Sequence, residues 1–78
     1  MQWNLIKQRK KKRETQADLA DIINVDTSTY RNKEMGKMQF KGDEMFLLSA
    51  HYNLPVDNLF LPSYVTKRVN GGGKEVVK

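Results

Sequence analysis

Thr15-Gln16-Ala17-Asp18-Leu19-Ala20-Asp21-Ile22-Ile23-Asn24-Val25-Asp26-Thr27-Ser28-Thr29-Tyr30-Arg31-Asn32-Lys33-Glu34-Met35-Gly36 is the stretch that decides the fold. Thr15 with Asp18 three residues on matches a capping box with the shorter acid, so a helix begins at about residue 16. Leu19, Ala20, Ile22 and Ile23 recur at helical spacing and form its apolar stripe. Asn24 tolerates the left-handed backbone that a tight turn demands and ends this helix, while Val25 is the apolar residue expected to plug the corner. Asp26 is a good N-cap for a further helix through Met35, and Gly36 stands where a glycine commonly terminates one. Two short helices joined by a turn of three or four residues describe a helix-turn-helix.

Upstream of this pair, Trp3, Leu5, Ile6 and the aliphatic stem of Arg9 recur at helical spacing, which predicts a first helix over residues 3–12 with a Lys-rich outer side. Downstream, Gly42-Asp43 starts a fourth helix through Met45, Leu48, Ser49 and Tyr52, ended by Asn53. Pro55-Val56-Asp57-Asn58-Leu59-Phe60 reads as a short fifth with Pro in its first turn. The expected fold is therefore all-α, a five-helix bundle over residues 1–62. After Phe60 the pattern changes. Tyr64 to Val69 is rich in β-branched and aromatic residues, and Asn70-Gly71-Gly72-Gly73 separates it from Lys74 to Val77. Residues 63–78 thus form a basic tail, either a β-hairpin or a flexible extension, and a candidate dimerisation segment.

Composition narrows the function classes. The chain has 78 residues, 14 Lys+Arg against 9 Asp+Glu, a net charge of +5, no Cys and one His. A chain of this length holds one compact core but no deep, walled catalytic cavity. Without Cys there are no disulfides, thiolate metal sites or cysteine nucleophiles, and His51 alone cannot build a His-rich zinc site. No metal and no cofactor are expected. An enzyme is not expected either, because His51 has no evident partner in the sequence and the carboxylates are scattered or serve as caps. No apolar run approaches the length that spans a bilayer, and residues 1–13 lack the features of a signal peptide, so a cytoplasmic protein is expected. The positive charge is uneven: residues 1–16 hold six basic residues and one acidic, 17–64 four and seven, 65–78 four and one. That distribution suggests a localised surface facing a polyanion.

Thr15-Gln16-x-x-Leu19-Ala20-x-x-Ile23-Asn24-Val25-Asp26-x-x-Thr29-Tyr30-x-x-x-Glu34-x-Gly36-Lys37 resembles the signature of the Cro/repressor-type helix-turn-helix (XRE) family, and Leu54 to Phe60 is similar to the family's closing helix. The resemblance covers residues 3–61. It implies a lambda-repressor-like DNA-binding fold and a phage or mobile-element transcriptional regulator. The chain departs from the family pattern at Asn24, where Gly is usual, and at Gln8, Glu14 and Lys33, where apolar residues are usual. Those three long side chains are expected to snorkel to water.

A helix fits the major groove of B-DNA, where short polar side chains distinguish base edges. The exposed face of the third helix, Thr27, Ser28, Arg31 and Asn32, matches family positions that face DNA, and these are the expected base readers. By the same resemblance Gln16 bonds a phosphate at the start of the second helix, and Arg9 and Glu34 form an internal ion pair tying the first helix to the third. Lys37, Lys41 and Lys10 are candidates for further phosphate contacts. Operators of this kind are read by two-fold dimers, so a homodimer on double-stranded DNA is expected, with Phe60, Leu61, Tyr64 and Val65 as the apolar cluster available for dimerisation. The rival reading is a protein-interaction module of antitoxin or anti-repressor type using the same helices. A membrane-surface role for the first helix is set aside, because Leu5 and Ile6 are better explained as core.

Overall fold

The computed structural model describes residues 1–60. It is all-helical over that span, in the order α1 (Trp3–Lys11), α2 (Gln16–Ile22), α3 (Thr27–Glu34), α4 (Gly42–Tyr52) and α5 (Val56–Leu59). Leu61, Tyr64, Val65, the expected hairpin and the boundary at residue 62 lie outside the described residues.

Local chemistry sets most of the boundaries. Thr15 Oγ1 accepts from the Asp18 amide at 3.1 Å and Asp18 Oδ2 accepts from the Thr15 amide at 2.8 Å, so both halves of the capping box that starts α2 are formed. Asn24 turns the chain in the left-handed region (φ 62°), and the Val25 amide donates back to the Ala20 carbonyl at 3.0 Å. That folds the half-buried Val25 onto the core. Asp26 caps α3 through the Thr29 amide. Gly36 takes φ 89° just after α3, and a Cβ there would stand 3.3 Å from the Met1 backbone nitrogen, so the glycine answers both a backbone and a space requirement. Asn53 ends α4 with φ 55°. Arg13, also left-handed at φ 58°, makes the corner between α1 and α2 without any Gly or Asn to announce it.

The core is Leu5, Leu19, Ala20, Ile23, Tyr30, Leu48, Tyr52, Leu59 and Phe60. α2 and α3 pack on each other, α4 crosses α2, and α5 closes the bundle against α1 and α4. Phe40, in the loop before α4, joins Tyr30 to Phe60 by two edge-to-face contacts with ring centroids 6.0 and 5.0 Å apart.

Three expectations are corrected here. Trp3 is 60% exposed and does not belong to the apolar stripe of α1. At 3.6 residues per turn it stands about 200° around the helix from fully buried Leu5, which puts the two on opposite sides. Phe60 is buried (7% exposed) against Phe40 in its own bundle, so its apolar surface is not available to a second copy. Lys33 does not snorkel. It is 3% exposed, and its Nζ donates to Glu44 Oε1 at 2.6 Å. Among the described residues no helix is long and apolar enough to cross a membrane.

Candidate nucleic-acid interface

α3 carries two faces of different chemistry. Tyr30, Lys33 and Glu34 turn into the protein, whereas Thr27, Ser28 and Arg31 are exposed and Asn32 is half-buried at the margin. At about 100° per residue the four outer positions span an arc of roughly 140°. Met35, 37% exposed directly after α3, falls within that arc beside Arg31. It was legible as the residue four after Arg31, but an apolar type does not announce itself in a polar reading face.

The start of this face is ordered by Asp26. Its Oδ2 accepts from Ser28 Oγ at 2.5 Å and its Oδ1 from Thr29 Oγ1 at 2.5 Å, in addition to the cap bond from the Thr29 amide at 3.4 Å. These bonds, that from Ser28 foremost, lower the Asp26 carboxyl to about 2, so it is ionised at neutral pH. The Thr27 hydroxyl has no such partner among the described residues.

The inner face is held by charge. Glu34 (2% exposed) accepts from Arg9 Nε at 2.9 Å and Arg9 Nη2 at 3.3 Å, from Gln16 Nε2 at 2.9 Å and from Tyr30 Oη at 2.7 Å. Burial works to raise this carboxyl, but the bonds from Arg9, Tyr30 and Gln16 outweigh it and leave the group below its ordinary range. Burial and the bond to Glu34 both push the Tyr30 phenol up, so it remains a donor. Arg9 Nη1 also donates to the Glu14 carbonyl at 3.0 Å, which ties α1, α2 and α3 at one point. The pair assigned by resemblance is therefore formed. Gln16 carries a contact beyond its assignment: one N–H of its side-chain amide donates to Glu34, and the other is left for a phosphate.

Lys33, next to Glu34, forms a second joint with Glu44, and the same Glu44 Oε1 accepts the Lys41 amide at 2.9 Å. The loop between them is further tied to α3, since the Lys37 and Met38 amides donate to the Asn32 carbonyl at 2.8 and 3.2 Å. Lys37 and Lys41 thus stand exposed on a segment fixed to the end of α3. Lys10, Lys11 and Arg13 are exposed in and after the last turn of α1. Lys12 turns instead toward α4, with Nζ 5.7 Å from the centre of the Tyr52 ring.

His51 has a partner that the sequence did not reveal. Its Nε2 lies 2.5 Å from Glu14 Oε2, and Tyr52 Oη donates to Glu14 Oε1 at 2.7 Å, so Glu14 braces the α1–α2 corner against α4. Comparison with protein-family models, with curated proteins and with solved structures finds no match to this chain.

Proposed function

We propose that this chain is a sequence-specific, double-stranded DNA-binding transcriptional regulator of the Cro/repressor helix-turn-helix type, acting by occupying an operator. On this reading α2 and α3 are the helix-turn-helix, and α3 enters the major groove. The observation that carries it is the two-faced α3: an outer face of exposed Thr27, Ser28 and Arg31 with half-buried Asn32 at its margin, on a helix whose opposite face is anchored by Tyr30, Lys33 and Glu34. Such side chains match the donors and acceptors of base edges, with Asn suited to adenine, Arg to guanine and a Thr methyl to the thymine methyl. Lys37 and Lys41 flank that face, and the net charge of +5 favours a polyanion. Lys10 supplies an additional cation from α1. A homodimer reading half-sites about 34–36 Å apart is the expected working form.

One observation favours a second reading, a module that binds another protein. Phe46 is 74% and Leu47 47% exposed at adjacent positions of α4, an apolar patch of the kind that marks protein contacts. The two readings separate in one experiment, a titration with duplex DNA selected from a random pool, repeated at several salt concentrations. Each neutralised phosphate contributes about −0.9 to the slope of log K against log salt, so a dimer gives a slope steeper than about −4. A slope near zero refutes the regulator and leaves the protein-binding module.

A further inference from the structure

Thr27 and Ser28 are adjacent hydroxyl residues, both exposed, on the face that the proposed function turns toward DNA. A hydroxyl is usually an indifferent reader. It has one O–H donor and two lone pairs, and it rotates to suit whichever group it meets. The two are not equivalent here. Ser28 Oγ stands 2.5 Å from Asp26 Oδ2, and an ionised carboxylate has no proton to give, so the hydrogen of that bond belongs to Ser28. An exposed aspartate is ionised at neutral pH in any case, and the bonds from Ser28 and Thr29 lower this carboxyl further, to about 2. Release of the Ser28 hydrogen would cost a charge-assisted bond, stronger than any neutral bond to a base edge that could replace it. Thr29 is committed in the same way through Oδ1, but it is half-buried and faces no ligand. Thr27 has no such bond among the described residues, so no partner fixes the direction of its hydroxyl there.

We infer that Ser28 is a specificity-determining residue whose hydroxyl is locked by Asp26 as an acceptor only, so that it selects an exocyclic amino group, adenine N6 or cytosine N4, in the major groove. Thr27 beside it accepts or donates and discriminates little by hydrogen-bond polarity. This inference rests on the reading of α3 as the helix that enters the groove. Every base pair presents one amino group and at least one acceptor there, so the consensus letter does not decide the matter; the atom contacted does.

The experiment is a functional-group cycle on the selected operator. Ser28→Ala identifies the base pair whose preference it flattens. At that pair the amino group is deleted, with purine for adenine or 2-pyrimidinone for cytosine, and separately an acceptor is deleted with a 7-deazapurine. Amino deletion is expected to weaken wild-type binding about two- to tenfold, the size of one neutral hydrogen bond, and to cost Ser28→Ala nothing beyond the base-pairing change. Acceptor deletion is expected to cost both proteins alike. Asp26→Gly keeps a tolerated N-cap, frees the hydroxyl, and should shrink the amino-deletion penalty toward that of Ser28→Ala. The inference is overturned if the Ser28-dependent penalty follows acceptor deletion, if Asp26→Gly leaves the amino penalty intact, or if Ser28→Ala flattens no base pair while the protein still selects an operator. If no duplex is selected at all, the failure is that of the DNA-binding reading itself.

Discussion

Replacing Arg9 by Ala tests the joint on which the placement of α3 depends. The substitution removes two of the four side-chain bonds to the Glu34 carboxylate, at 2.9 and 3.3 Å, and also releases the Glu14 carbonyl, while Tyr30 and Gln16 continue to donate. Removing one partner of a buried ion pair costs about 3–5 kcal/mol, chiefly because the other charge is left without compensation. The two surviving donors put this case at the lower end, about 3 kcal/mol. For a domain of this size each kcal/mol shifts the melting temperature by about 4–8 °C, which gives a fall of roughly 12–24 °C. A bundle of some 60 residues has only about 3–9 kcal/mol in total, so Arg9→Ala removes between about a third and all of its stability. Arg9→Lys keeps the charge but not the fork, and should fall between the two.

The pH dependence of the same comparison is diagnostic. Glu34 lies below its ordinary carboxylate range in the folded protein, so its contribution is fully present above the unfolded value, about 4.3, and is lost as pH falls through the folded one. In Arg9→Ala the main cause of that depression is gone and the carboxyl is protonated sooner, which relieves the stranded charge. The gap in melting temperature between wild type and Arg9→Ala should therefore be widest near neutrality and narrow as pH is lowered through the carboxylate range. Thermal melts followed by circular dichroism from pH 7 downward measure it. An Arg9→Ala protein that melts within a degree or two of wild type, or a gap that widens in acid, would show that the pair does not hold the fold.

At the other joint, Lys33→Met and Glu44→Gln should each destabilise by about 3 kcal/mol, yet the double variant should recover at least half of the summed loss, because it leaves no uncompensated buried charge; urea denaturation of all four proteins decides, and simple additivity would refute the pairing. Asn32→Ala should cost about 1–3 kcal/mol on the selected operator and little on random DNA. Gln16→Ala should weaken both duplexes alike and also lower the melting temperature by a few degrees, since its amide serves Glu34; unchanged stability would free Gln16 for the phosphate role alone. Truncation after Pro62 should leave the helical signal intact, since the core closes at Phe60, and a loss of helix would show that the tail completes the bundle.

What the sequence made legible is what is decided locally. Thr15 with Asp18, Asp26 with Thr29, and the left-handed turns at Asn24, Gly36 and Asn53 involve groups within three or four residues of one another, so their pattern is visible in a single window. Side-chain destinations that depend on distant partners were not visible. Lys33 reads as a solvated cation until Glu44, 11 residues later, is brought against it. His51 reads as unpartnered because Glu14 lies 37 residues away. The bond from Gln16 to Glu34, 18 residues away, is likewise invisible in a single window. Trp3 and Phe60 were misjudged in opposite directions, for hydrophobicity says that a residue favours burial but not which helix face it occupies. Arg13 gave no turn signal at all, since its left-handed φ is imposed by the corner and not by its own preference.

The polar joints on the inner face of α3 bear most directly on the candidate interface. Apolar contacts are non-directional, and a helix seated only on Tyr30 and its neighbours could rotate slightly about its axis at little cost in buried area. Hydrogen bonds have preferred angles, and the last turn of α3 is held by them at Tyr30, Lys33 and Glu34. With side chains reaching about 5–6 Å from the helix axis, a rotation of 10° moves their tips by about 1 Å, enough to spoil a hydrogen bond to a base edge. Buried charges in place of apolar residues are a poor way to gain stability, since a well-packed hydrophobic pair is often as good or better. They are an effective way to fix the rotation of a helix whose outer face must meet its target in register. On the proposed reading, Lys33, a buried charge at a position where an apolar residue is usual, works with Glu34 beside it as the means by which this bundle aims α3.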